Sequence, residues 1–89
     1  MRVRVLISGR VQGVGFRYYT RQKAEEIGLT GWVQNLPDGR VEAEFQGDEA
    51  MVSAILRWCE RGPTLANVRD VETIACEEAP DALRFVLRS

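Results

Sequence analysis

No histidine occurs anywhere in the 89 residues, lysine occurs once, at Lys23, and cysteine twice, at Cys59 and Cys76. Without imidazole the chain has no Cys/His zinc pattern, no Cys–His nucleophilic pair and no use of the commonest general base near neutral pH. The two cysteines, seventeen positions apart, read as free thiols rather than as a disulfide framework. Scarce lysine and a net charge of −1 argue against binding a nucleic-acid backbone, which needs a surplus of cations on one face. No segment approaches the roughly 18 apolar residues of a membrane span. The first residues, MRVRVLISGR, hold too short an apolar run for a signal-peptide core and read as a strand, so the expected compartment is the cytoplasm.

What is present is an ordinary globular composition, 45% hydrophobic and 28% charged, in one expected domain over 1–89. The period-two alternation of Val3, Val5 and Ile7 predicts a strand from Arg2 to Ser8. The spacing then becomes helical, with Phe16, Tyr19, Lys23/Ala24 and Ile27 on one face and Gly28 as the stop. Thr30 to Leu36 reads as strand two, Leu36-Pro37-Asp38-Gly39 as a turn, and Arg40 to Gln46 as strand three, with Val41, Ala43 and Phe45 inward. Asp48 is a natural N-cap for a second helix that turns Met51, Ile55 and Trp58 inward and stops at Gly62-Pro63. Asn67 to Cys76 reads as strand four; Val68 and Val71, three apart, break its phase and hint at a bulge. Leu83, Phe85 and Leu87 alternate with Arg84, Val86 and Arg88 as a short final strand. The order β-α-β-β-α-β plus a terminal strand predicts an α+β, ferredoxin-like split βαβ sandwich, two helices on one face of an antiparallel sheet. That topology makes Asn35 a neighbour of the loop after strand one.

That loop sits in SGRVQGVGFRYY, residues 8–19, and the helix it feeds is oddly begun. No Ser, Thr, Asp or Asn caps it, and Arg17 and Arg21 stand early while Glu25 and Glu26 stand late, the reverse of what a helix dipole favours; the second helix, with Asp48 and Glu49 first and Arg57 and Arg61 last, obeys the rule. Each misplaced charge costs or forgoes about 0.3–1 kcal/mol, and the missing cap roughly 1 kcal/mol. On the glycines alone the loop is also compatible with a plain tight connection, and neither a P-loop nor a dinucleotide fingerprint fits. An external anion accounts for all three oddities: it accepts orphan N–H groups, suits the positive helix end, and pairs with Arg17. Gly13 and Gly15 would let the backbone curl around it. From physical chemistry the reading reaches a phosphate-like anion. Phe16, Tyr19, Trp32 and Trp58 are expected in the core, Arg10, Arg40, Glu42 and Glu44 on a solvated surface.

GRVQGVGFR at 9–17, GLTGWVQNLPDGRVE at 28–42 and, more weakly, RGPTLANV at 61–68 resemble the signatures of the acylphosphatase family, at matching separations along nearly the whole chain. The resemblance implies hydrolysis of the carboxyl–phosphate anhydride of acyl phosphates without metal or cofactor. It implies that Arg17 binds phosphate, that Asn35 orients the attacking water, and that Gln12, Gly13, Val14, Gly15 and Phe16 supply backbone donors. Gln34 stands where the family often has a basic residue, and Arg88-Ser89 where it often has an aromatic one; neither is expected to touch the chemistry. Inorganic phosphate or sulfate would compete as anions. The runner-up within the resemblance is a non-catalytic phosphate-binding module like that of hydrogenase-maturation carbamoyltransferases. An RNA-recognition module shares the element order, but strand three shows Glu42 and Glu44 outward where stacking aromatics would be needed. Without an obvious apolar outer face, the expected state is a monomer.

Overall fold

Seven elements follow one another in a computed structural model that describes all residues 1–89: β1 (Arg2–Arg10), α1 (Phe16–Ile27), β2 (Thr30–Asn35), β3 (Val41–Gln46), α2 (Glu49–Arg61), β4 (Asn67–Cys76) and β5 (Phe85–Leu87). The strands form one sheet in the order β4-β1-β3-β2-β5, and both helices pack on one face of it. This is the ferredoxin-like α+β sandwich. The sheet is mixed rather than wholly antiparallel, because β5 joins the free edge of β2 in parallel register, Gly31 against Phe85 and Val33 against Leu87. No helix is long and apolar enough to cross a membrane.

Alternation builds the core face of the sheet. Val3, Val5 and Ile7 of β1, Val33 of β2 and Val41, Ala43 and Phe45 of β3 are buried against α1 and α2, each aliphatic side chain contributing roughly 1.5–3 kcal/mol of burial. Phe85 completes it by stacking on Phe45 at 5.5 Å between ring centroids.

The helix faces differ in detail from the expected ones. In α1 the buried row is Phe16, Thr20 and Ala24, a strict i, i+4 line whose two small members let the helix approach the sheet, while Tyr19 swings to the edge and is 45% exposed. In α2 the row is Val52, Ile55 and Cys59, with Met51 and Trp58 flanking it half-buried. Asp48 caps α2 as expected, its carboxylate accepting from the Met51 N–H at 2.9 Å. Leu83, expected within the last strand in phase with Phe85 and Leu87, lies outside it and is 91% exposed, because pairing begins only at Phe85. The bulge foreseen near Val68 is real: Ser8 pairs with Asp70 and Gly9 with Val68, so Arg69 is the extra residue. Both cysteines are free, and burial pushes the Cys59 thiol far up from its ordinary pKa.

The open face of the sheet corrects the expectation of solvated charges. Glu42 is buried, taking Arg4 Nε at 2.6 Å and Gln34 Nε2 at 2.7 Å. Arg2, also buried, reaches Glu44 at 2.8 Å and Gln46 at 3.1 Å. Leu6 lies opposite Glu42 and Arg4 opposite Glu44, so the pairs run diagonally from β1 to β3 and their stems cover the sheet where no helix does. Burial alone would raise the Glu42 pKa, but hydrogen bonds from Gln34 and Arg4 and the charge of Arg4 outweigh it and hold the carboxyl below its ordinary value.

Candidate active site

The sheet order places the loop after β1 between two others. Register aligns Asn35 with Val41 and Val41 with Ile7, and pairs Arg10 with Asn67. The β2–β3 turn therefore lies on one side of residues 11–15 and the α2–β4 loop on the other.

Gly15 is the N-cap of α1, in the left-handed region at φ 79°, with no side-chain capping bond and no acidic residue in the first turn. The first backbone bond of the helix is Tyr19 N–H to the Gly15 carbonyl at 3.0 Å. Seven successive backbone N–H groups, from Gln12 to Tyr18, thus have no backbone acceptor. Such a row is expensive if starved of partners and is well served by a multivalent anion.

These amides border a small cavity of about 180 Å³, lined among others by Gln12, Gly13, Gly15, Phe16, Arg17 and Asn35. All the residues expected in the phosphate site meet here except Val14, whose side chain is buried in the core while its backbone stays in the loop. Asn35 comes from the last position of β2. Arg17 projects from the first turn of α1, and its Nη1 donates to the Arg88 carbonyl at 2.6 Å, leaving most of the five guanidinium donors free. The residues before the terminus do touch the site, contrary to expectation. The Arg88 N–H is held by Val33 O at 2.8 Å and its guanidinium lies over Trp32 at 4.1 Å. Trp32 is thus on the open face rather than in the core.

Gln12 contributes more than its backbone. Its Nε2 donates to Leu36 O at 2.8 Å and Arg40 O at 3.0 Å, spanning the two ends of the β2–β3 turn. Two carbonyl acceptors require the amide NH₂ at this point, so the side chain bolts the glycine loop to the turn that follows Asn35. Sequence reasoning missed this side-chain role, and also the Arg88 carbonyl; a donor-bearing residue inside an otherwise apolar and glycine loop was the only local signal for the first, and there was none for the second. Gln34, by contrast, points to the open face and Glu42.

Comparison with known proteins places this geometry. A family model for acylphosphatase matches residues 3–87. An acylphosphatase of Trichormus variabilis is 56% identical over 84 residues, 94% of this chain and 81% of that protein. One from Nitrosococcus oceani is 55% identical over 97% of this chain and 96% of its own length. Among solved structures, the crystal structure of acylphosphatase from Bacillus subtilis superposes with a TM-score of 0.94 at 33% identity, covering 99% of this chain and 98% of that one. An uncapped helix start beside an arginine and an asparagine, in a sandwich of this topology and with relatives of this closeness, leads to one assignment: the chain belongs to the acylphosphatase family.

Proposed function

We propose that the protein, one domain over residues 1–89 acting as a cytoplasmic monomer, is an acylphosphatase that hydrolyses small acyl phosphates to a carboxylate and inorganic phosphate. The observation that carries the reading is the row of seven N–H groups without backbone acceptors, met in one cavity by Arg17 and Asn35. The relatives bearing the name acylphosphatase, matched over 81% and 96% of their own length in the two described above, support a hydrolase rather than a non-catalytic phosphate-binding module.

In this reading the phosphoryl group sits against the amides of Gln12 to Arg17 at the positive end of α1. Arg17 takes a further phosphoryl oxygen, its orientation held by the Arg88 carbonyl. Charge spread over the phosphoryl oxygens in a loose transition state strengthens these contacts, which is where the rate gain arises. Asn35 holds the attacking water in line with the scissile P–O bond. The water oxygen bonds to phosphorus as the P–O bond to the acyl group breaks, and the electron pair leaves on the carboxylate. The water proton passes to a phosphoryl oxygen of the substrate, since asparagine cannot accept one at neutral pH. A dianionic acyl phosphate and water thus give a carboxylate and a monoanionic phosphate.

The test is incubation with acetyl phosphate and benzoyl phosphate in the presence of a chelator, following loss of the anhydride. Turnover is expected, with inorganic phosphate and sulfate competing. Arg17→Ala should lower turnover by about 10²–10³ and weaken phosphate inhibition, whereas Asn35→Ala should lower kcat while sparing phosphate inhibition. An inert wild-type protein, or equal loss of phosphate affinity in both variants, contradicts the reading.

A further inference from the structure

A second concavity adjoins the phosphate cavity, and the catalytic account leaves it unused. It is a groove of about 700 Å³ between α1 and the α2–β4 loop, walled by Tyr19, Trp58, Pro63, Thr64 and Leu65, and it shares Gly15 with the phosphate cavity. Its outer wall is the third sequence signature, RGPTLANV. That loop is docked firmly: Gly62 lies so close to the Phe16 ring that a Cβ there would come within 2.7 Å of it, and Phe16 meets Trp58 edge-on at 5.6 Å.

We infer that this groove receives the acyl half of the substrate and selects an uncharged aromatic or extended apolar acyl group over acetyl; the inference rests on the acyl-phosphate reading above. Topology supplies the first argument. The β2–β3 turn with Asn35 and the loop 62–65 flank residues 11–15 from opposite sides of β1. In-line displacement requires the water and the leaving oxygen on opposite faces of phosphorus. A water held on the Asn35 side therefore directs the acyl group toward Tyr19 and Leu65.

Adjacency and chemistry supply the second. The groove begins at the Gly15 wall it shares with the phosphate cavity, so an acyl group that leaves the amides on that side enters it directly. Tyr19 is 45% and Leu65 69% exposed, apolar surface beside the site that no other part of the chain covers. Tyr18, at the mouth of the phosphate cavity, meets the Tyr19 ring edge-on at 5.1 Å and fixes its face. The only ionic groups of the groove, Lys23 and Glu26, pair with each other at 3.4 Å, which leaves nothing to favour a charged acyl tail.

The experiment measures kcat/KM for benzoyl and acetyl phosphate, and the phosphate inhibition constant, in wild type, Tyr19→Ala and Leu65→Ala. Contacts made equally in ground and transition states act on KM, so the benzoyl-to-acetyl ratio of kcat/KM should fall about three- to tenfold in each variant through the benzoyl KM. Phosphate alone does not enter the groove, so its inhibition constant should hold. A ratio that moves less than twofold in both variants overturns the groove assignment and leaves the phosphate site standing. A wild type that hydrolyses neither compound removes the acyl-phosphate reading and the groove assignment with it. Leu65, the more exposed, keeps the test decisive if Tyr19→Ala fails to fold.

Discussion

Replacing Gln12 is the perturbation that most sharply separates position from chemistry. Its carboxamide makes two hydrogen bonds, 2.8 Å to Leu36 O and 3.0 Å to Arg40 O, in a half-buried setting. At about 0.5–1.5 kcal/mol each, their loss in Gln12→Ala should cost roughly 1–3 kcal/mol of stability, read as a lowered urea midpoint. The kinetic effect should be larger in proportion. Gln12 is the strut between the glycine loop and the turn after Asn35, and displacement of a positioning group by about 1 Å can cost on the order of 10²-fold in rate. We expect kcat to fall about 10- to 100-fold with little change in the phosphate inhibition constant, because the amides of 13–17 and Arg17 are untouched. Gln12→Glu is the control for shape: a carboxylate of the same size has no proton to give and would face two carbonyl oxygens, so it should be at least as damaging as alanine. A Gln12→Glu enzyme with wild-type kcat at neutral pH would refute the strut.

Three further outcomes follow from other parts of the molecule. Gly13 and Gly15 both lie at positive φ, 76° and 79°, but a Cβ on Gly13 meets nothing within 4 Å while one on Gly15 comes within 3.1 Å of the Tyr19 ring; Gly13→Ala should cost about 1–2 kcal/mol in urea unfolding from the left-handed backbone alone, and Gly15→Ala more. The Thr20 hydroxyl is buried without a hydrogen-bond partner, so Thr20→Val should be neutral or stabilising, by up to about 1 kcal/mol or 4–8 °C in Tm. Glu42 has its folded pKa held below the ordinary 4.5, so its contribution is present above the unfolded value and is lost as pH falls through the folded one; in urea titrations the stability gap between wild type and Glu42→Gln should narrow as the pH is lowered through and below 4.5.

Much of this was legible in the residues because local signals and tertiary demands agree over most of the chain. β3 and the Asp48 cap of α2 are cases where alternation and capping chemistry are unambiguous. The inverted charges of α1 are the opposite case: a local rule broken where the fold gathers Arg17, Asn35 and amides without backbone acceptors, the place of the proposed anion site. What could not be read was whatever depends on strands meeting at a distance. Tyr19 and Thr20 differ by one position on a helix, and only the closeness of α1 to the sheet selects the smaller. Glu42 looks solvent-facing from period two, yet the absence of helices on that face makes Arg4 and Gln34 its cover. The parallel placement of β5, and with it the Arg88 carbonyl on Arg17, has no sequence signature in a three-residue strand. The side-chain bonds of Gln12 likewise depend on a turn 24 and 28 residues away.

The central claim is that the backbone amides of the loop and first helical turn close around phosphate. Titration of ¹⁵N-labelled protein with inorganic phosphate, following backbone amide shifts, tests it directly. The account predicts large, saturable shifts concentrated at residues 12–18, with one dissociation constant equal to the inhibition constant, and their loss in Arg17→Ala at the same phosphate concentration. Amides of 12–18 that stay still while others move, or that drift without saturating, would contradict it.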